Sequence, residues 1–151
     1  MTKKLLYCLI AGLVTTSCDH GLAPVDEEGE IHVTITYEGE WPPDDEIYEL
    51  RFVAMRFIPG STSDFLRLNE MEVSDRLKTQ VDQQSIILEE VRNGRFFYSG
   101  VAWQFSPNIF QDWRVLGLYK EGNGEFNVRG DVVEIHVNVD FDDLPEFPPE
   151  S

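Results

Sequence analysis

Positive charge is what this sequence has least of. Its 151 residues include 28 aspartates and glutamates but only 12 lysines and arginines, which gives a formal net charge of −16 at pH 7. A chain with this excess of carboxylates repels phosphate backbones, so we expect no nucleic-acid partner. The same charge keeps the protein soluble and holds the folded domain away from anionic lipid headgroups.

The sequence also lacks an apolar run long enough to cross a bilayer. The longest run is residues 5–14, whereas a membrane-spanning helix needs about 20 residues. Lys3 and Lys4 precede this run, and small residues follow it. A basic start, a short apolar stretch and small residues at the cut are the parts of a secretory signal. We therefore predict that residues 1–17 are a cleaved signal peptide.

A cut directly before Cys18 resembles the signal of bacterial lipoproteins. Ser17 fits the small residue that such signals carry before the cleavage point. The resemblance implies that Cys18 is the lipid attachment site, with a diacylglycerol and usually an N-acyl group. More than one acyl chain is needed for stable anchoring, so this set suffices to hold the protein on a membrane. The alternative is an ordinary signal peptide followed by an incidental cysteine.

Cysteine is scarce, and its positions exclude a disulfide from the predicted mature chain. Cys8 falls in the signal peptide and Cys18 is the predicted lipid site. Removal of Lys3 and Lys4 with the signal changes the net charge from −16 to −18. The hydrophobic content of 42% and the aromatic content of 12% are typical of a packed domain. We expect one domain, stabilised by its core alone.

Residues 18–30 are predicted to be an acidic, flexible tether, because they contain two glycines, a proline and several carboxylates. An acidic stretch after the lipidated cysteine resembles export signals of surface lipoproteins in Bacteroidota-like bacteria. Asp19, directly after the cysteine, resembles the inner-membrane retention signal of enterobacteria. We expect the protein in the cell envelope. The outer membrane is favoured over the inner one, and the periplasmic or surface side is left open.

Apolar and polar residues alternate through most of the chain from Ile31 onward, the period of half-buried β-strands. The alternation is clearest in residues 133–141. Residues 65–73 predict either a short strand or an irregular crossover, and residues 74–84 predict a polar loop. The predicted strands are residues 31–37, 47–58, 85–91, 95–105, 114–120, 126–128 and 133–141.

Short strands separated by turns predict an all-β fold, an antiparallel β-sandwich of about seven strands. The sandwich should cover residues 31–141 and precede an acidic, proline-rich tail at 142–151. Residues 85–103 resemble the strand–turn–strand segment of carboxypeptidase-regulatory-like domains, in which Gly94 matches the turn glycine and Phe96 stands where tyrosine is usual. This resemblance implies a transthyretin-like sandwich that acts as a structural or binding module, and it brings no catalytic residues.

Two strands should supply the centre of the core. Val101 and Trp103 share one face of the long aromatic strand, and Ile135 and Val137 share one face of the last strand. We predict that all four point inward. Phe96 is predicted to lie on the face of the aromatic strand opposite Val101.

Candidate ligands for metals are few and scattered. His32 and His136 lie on the polar faces of the first and last strands and could approach each other only if these strands were neighbours. The carboxylates at 44–46 and 140–143 lack the spacing of a calcium-binding loop. We predict no metal site and no cofactor.

Aromatic residues in loops are the best candidates for a binding surface. Trp41 precedes two prolines in a turn, and Phe110 and Trp113 belong to the loop that follows the aromatic strand. Rigid aromatic side chains offer a large contact area at low entropic cost, so these three predict a surface that binds a sugar or a protein. The alternative is that they fold over the ends of the sandwich and cap its core.

Together these patterns predict a lipid-anchored envelope lipoprotein. We expect a non-catalytic binding or structural module for an envelope protein or a glycan, and not an enzyme. The alternative is an envelope hydrolase that uses carboxylates or a bound metal. Converging carboxylates in a cleft would favour the hydrolase, whereas exposed aromatic residues would favour binding.

Overall fold

The computed structural model describes residues 27–149, and β-strands dominate this range, which confirms the all-β class. The only helices among these residues are short 3₁₀ turns at Asp44–Glu46, Thr62–Leu66, Leu68–Glu70 and Glu121–Gly124. None of them is long and apolar enough to cross a membrane. The strands are β1 (Glu28–Glu38), β2 (Glu49–Met55), β3 (Met71–Val73), β4 (Gln83–Arg92), β5 (Gly94–Phe96), β6 (Tyr98–Gln104), β7 (Trp113–Leu118), β8 (Phe126–Val128) and β9 (Val132–Asp140).

The predicted signal peptide, Cys18 and most of the predicted tether lie outside the described residues. The first strand begins at Glu28 rather than at Ile31, because Glu28 and Gly29 already pair with the end of β4. The described part of the tail reaches Pro149.

Three open sheets form the fold, with strand orders β4-β1-β9, β3-β2-β6-β7 and β5-β8. All pairs are antiparallel except one, because β1 and β9 run parallel from the pair Glu30–Val132 to the pair Glu38–Asp140. The expectation of a purely antiparallel sandwich is therefore corrected. Alternation of apolar residues indicates which face of a strand is buried, but it contains no information on the direction of the neighbouring strand.

The main core lies between the three-stranded and the four-stranded sheets, as expected for a sandwich-like packing of two layers. The predicted inward orientation of Val101, Trp103, Ile135 and Val137 is confirmed, since all four are buried in this core. His136 lies between the last two in sequence and is exposed.

The long aromatic strand is interrupted, which changes the predicted faces. A break at Phe97 separates β5 from β6. Phe96 is therefore buried in the main core with Val101, where its ring stacks on Phe126 at 4.9 Å between centroids. Phe97 belongs to neither strand and is partly buried, with the Arg95 guanidinium 5.0 Å from the centre of its ring. The prediction that Phe96 and Val101 face opposite sides was wrong. Phe97 lies between β5 and β6, and this one extra residue shifts the alternation of inward and outward side chains.

A second apolar cluster covers the outer face of the four-stranded sheet. Within the segment of ambiguous pattern, residues 61–84, two 3₁₀ turns and the short strand β3 cross this face, and the chain then enters the main core at Leu77 before β4 begins at Gln83. Phe65 from this crossover is buried there, and Phe147 from the tail packs against it at 5.4 Å. The cluster consists of Val53, Met55, Phe65, Met71, Tyr98, Ala102 and Val115.

Candidate functional site

Trp41 lies at the border of the main core. Its ring contacts Tyr37 at 4.6 Å and Phe141 at 4.7 Å between centroids, and its Nε1 donates a hydrogen bond to the Val81 carbonyl at 3.2 Å. Trp113 belongs to the outer cluster instead. The structure therefore does not bring together the three aromatic residues predicted as one surface.

Phe110 is presented by a loop that its own hydrogen bonds hold in shape. The Ser106 hydroxyl bonds the Asp112 carboxylate, and the Phe110 N–H donates to Asn108 Oδ1 at 3.1 Å. The Phe105 N–H closes the loop on the Asp112 carbonyl, also at 3.1 Å. The Phe110 side chain remains 60% exposed, which agrees with its prediction as a surface aromatic.

Trp113 is the first residue of β7 and is partly buried. Its ring stacks on Phe65 with 5.5 Å between centroids and an interplanar angle of 13°. Its Nε1 donates to the Ile109 carbonyl at 2.9 Å, which ties the ring to the loop that carries Phe110. Trp113 therefore joins an exposed loop to the outer cluster.

A groove of about 350 Å³ lies on the outer face of the four-stranded sheet beside Trp113, and we call it the Trp113 groove. Strand alternation explains part of the lining. Glu49, Arg51 and Val53 occupy alternate positions of β2 and therefore share its outer face. The groove is lined by Glu49, Arg51, Val53, Phe65, Leu68, Met71, Val73 and Trp113.

One end of the groove is charged. Arg51 donates from Nε to Glu49 Oε1 at 2.6 Å and from Nη1 to the Ser74 carbonyl at 2.7 Å. Both side chains of the ion pair are about two-thirds buried or more. Within the described part of the chain, no hydrogen bond reaches Glu49 Oε2, so an acceptor oxygen is left at this end of the groove.

A buried amide lies next to this ion pair. Gln104 pairs with Glu49 on one side and with Trp113 on the other, which places the three side chains on the same face of the sheet. Gln104 is fully buried and donates from Nε2 to the Ser106 carbonyl at 2.6 Å. Its Oε1 has no hydrogen-bond partner among residues 27–149.

Sequence reasoning missed Glu49, Arg51 and Leu68 as groove residues. Glu49 and Arg51 are charged residues at alternate positions of an otherwise apolar strand. This pattern was the available signal that one face of the strand has polar contacts. Leu68 gave none, because it lies in the crossover whose path depends on packing against the outer cluster. Of the predicted site residues, Trp113 alone lines the groove.

The two histidines lie on neighbouring strands, since β1 and β9 pair. His32 stands opposite Glu134, and His136 stands two pairs further along, opposite Thr34. His32 Nε2 is bonded to Glu30 Oε2 at 2.7 Å. Among residues 27–149, no three histidine, cysteine or acidic side chains are placed to hold a metal ion.

The two predicted carboxylate clusters belong to turns. Residues Asp44–Glu46 form an exposed 3₁₀ turn. At the end of β9, Asp140 Oδ1 accepts a hydrogen bond from the Asp142 N–H at 2.9 Å. Asp140 thus bonds local backbone, which is a common role of aspartate in turns, whereas Asp44 Oδ1 accepts a hydrogen bond from Gln80 Nε2 at 3.2 Å.

No known protein family, no curated protein and no solved structure matches this chain.

Proposed function

We propose that this protein is a non-catalytic binding module of the cell envelope and that the Trp113 groove is its recognition surface. The observation that carries the proposal is the combination of an apolar groove with exposed apolar side chains. Leu68, in the wall of the groove, is 64% exposed, and Phe110, on the loop tied to Trp113, is 60% exposed. Exposed apolar groups around a concave site are typical of binding surfaces.

The lining favours an envelope protein over a glycan. Four of the lining side chains are aliphatic or thioether groups, which pack best against apolar side chains: Val53, Leu68, Met71 and Val73. A sugar brings hydroxyl groups that need hydrogen-bond partners, and polar lining side chains occur only at the Glu49–Arg51 end. A polypeptide segment with an apolar side chain in the groove fits this composition better.

Charge indicates that the partner is basic. The chain has a net charge of −16, and Glu49 contributes an unbonded carboxylate oxygen to the groove. Complementary charges speed association and select partners, so we infer a basic residue close to the apolar anchor of the partner.

The envelope location is part of the same proposal. Residues 1–17 act as the signal, Cys18 carries the lipid, and the tether leaves the domain free to meet its partner near the membrane. The relationship to carboxypeptidase-regulatory-like domains is also a proposal. It is supported by Gly94, which joins β4 to β5 at a φ of 146°, a conformation that favours the turn glycine of such a segment.

Site-specific photocrosslinking in the native envelope tests the proposed surface. A photoreactive residue replaces Leu68 in the full-length protein, and the matched control replaces Ile87, which is 55% exposed on β4, away from the groove. We expect a defined protein adduct from position 68 and none from position 87. Glu49→Gln should reduce the yield from position 68, and so should an increase in salt concentration.

Three results would contradict the proposal. Equal adducts from positions 68 and 87 would mean that the groove is not a specific surface, and the absence of any adduct at 68 would mean that it has no partner. A carbohydrate adduct at 68 would show that the inferred chemistry of the partner is wrong.

A further inference from the structure

A second cavity, of about 340 Å³, lies where the end of β4 meets the residues that follow β2 and precede β3. It is lined by Arg56, Asn69, Arg92 and Asn93, and we call it the arginine pocket. None of these residues lines the Trp113 groove. Two arginines thus share one cavity in a chain that has 28 acidic and only 12 basic residues.

Arg56 is held rigidly in the pocket. Its Nη2 donates to the Arg92 carbonyl at 2.7 Å and its Nη1 to the Asn93 carbonyl at 3.2 Å. Its guanidinium lies 4.4 Å above the centre of the Phe96 ring. Carbonyl and aromatic contacts orient a guanidinium without neutralising its charge, and among residues 27–149 the only carboxylate that pairs with Arg56 is that of Glu72, at 3.3 Å.

Arg92 has no acidic partner within the described part of the chain. Its Nη2 donates to the Asn69 carbonyl at 3.0 Å, which leaves other N–H groups of the guanidinium unused. Asn93 Oδ1 accepts a hydrogen bond from the Gly130 N–H at 2.7 Å, which fixes the amide and leaves its Nδ2 as a donor. The pocket therefore offers more donors than acceptors and one uncompensated positive charge.

We propose that the arginine pocket binds an oxyanion, the carboxylate or phosphate group of a ligand. The planar guanidinium matches both groups through paired hydrogen bonds. Arg56, paired with Glu72, is a fixed donor beside Arg92, whose charge no carboxylate among residues 27–149 pairs with, so an anion is attracted to Arg92. Two carboxylates border the pocket, because Glu72 pairs with Arg56 and Glu28 on β1 stands opposite Arg92 without forming an ion pair with it. At physiological ionic strength, charges more than about 8 Å away are largely screened.

Titration of the full-length protein with inorganic phosphate and, separately, with acetate tests this site at constant, physiological ionic strength. The Nε–H signals of Arg56 and Arg92 and the backbone N–H signal of Asn93 are followed by NMR. We expect saturable shifts of these signals with at least one anion. The tighter anion identifies the ligand group as phosphate or carboxylate.

Substitutions separate a built site from general attraction. Arg92→Gln should weaken binding about tenfold or more, because it removes a charge-assisted hydrogen bond. It should not disturb the fold, since Arg56 bonds the main-chain carbonyl of residue 92 and not its side chain. Arg92→Lys keeps the positive charge but loses the planar guanidinium with its paired donors. Its affinity for the anion should lie between those of the wild type and Arg92→Gln.

The control is Arg114→Gln, which removes an exposed arginine of β7 that makes no ion pair among residues 27–149. It should bind like the wild type. The proposal is overturned if neither anion gives a saturable shift. Equal affinities for Arg92→Gln and the wild type would overturn it as well.

Discussion

Val137 and His136 are adjacent residues with opposite surroundings. Val137 is 2% exposed in the main core, whereas His136 points to the outer face of the three-stranded sheet. Val137→Asp buries an unpaired carboxylate and should cost several kcal/mol, out of a total stability of about 5–15 kcal/mol. His136→Asp should change stability little. Urea unfolding of both variants measures this difference, and equal midpoints would contradict the observed register.

Trp113 packs in the outer cluster and also lines the groove, and truncation of its side chain can separate these two roles. Removal of a fully buried aromatic ring costs about 3–5 kcal/mol, so the partly buried Trp113 should lose less, on the order of 1–3 kcal/mol, in Trp113→Ala. Phe110→Ala, the exposed control, should lose less than about 0.5 kcal/mol. Melting temperatures of both variants test this ranking. If Trp113→Ala lost about 3–5 kcal/mol of stability, Trp113 would be a packing residue, and the case for the groove as a binding site would be weaker.

Tyr98 carries a buried hydroxyl that has no partner among residues 27–149. Burial raises the pKa of Tyr98 to about 12, because the charged phenolate is poorly solvated in the outer cluster. Tyr98→Phe removes the unsatisfied group, so we expect unchanged stability at neutral pH or a gain of about 1 kcal/mol. A loss of more than about 1 kcal/mol would mean that the hydroxyl is bonded, for example to water.

The raised pKa also predicts how stability depends on pH. Unfolded tyrosine ionises near pH 10 and folded Tyr98 near pH 12, so the folded state loses stability as the pH rises through this window. Tyr98→Phe should lose less stability there than the wild type. Part of the alkaline loss should persist, because burial also raises the pKa of Tyr37 to about 12, although a hydrogen bond from Gln84 opposes this shift. Urea unfolding across this pH range measures both effects.

At the scale of elements, one glycine allows the two main sheets to meet. Gly117 on β7 lies so close to β9 that a Cβ atom there would collide with the Asn138 carbonyl and the Val139 side chain. Gly117→Ala should therefore push β7 away from β9 and cost about 1–3 kcal/mol. Gly60→Ala is the control, because a Cβ at this position meets only Asp64 Oδ2, at an ordinary 3.8 Å. Similar melting temperatures for the two variants would show that the approach of β7 to β9 is not tight.

At the scale of the whole molecule, the proposed anchor gives the clearest test. Cys18→Ser removes the only thiol that the proposal leaves available for lipid, so the protein should move from the membrane fraction to the soluble fraction. Cys8→Ser, inside the proposed signal, should leave it in the membrane fraction. Fractionation and mass spectrometry of the lipid measure both. A Cys18→Ser protein that stays on the membrane, together with a wild type that has no lipid mass, would show that the lipoprotein proposal is wrong.

The sequence by itself determined which residues face the core in the most regular strands. Ile135 and Val137 on β9, and Val101 and Trp103 on β6, were predicted correctly from alternation. The physical reason is local, because successive side chains of a strand point to opposite sides. β9 alternates buried and exposed residues, whereas β6 is buried on both sides, between the main core and the outer cluster. The all-β class followed from the same pattern.

Only the tertiary structure decided which strands are neighbours and where a groove forms. The parallel pairing of β1 with β9 joins the two ends of the domain, and no local pattern indicates it. The row Glu49–Gln104–Trp113 joins β2 to the consecutive strands β6 and β7, which are distant from β2 in sequence, and Leu68 reaches the same place through an irregular crossover. These positions depend on long-range packing of the outer cluster, where contacts between distant residues outweigh the local preferences of the chain.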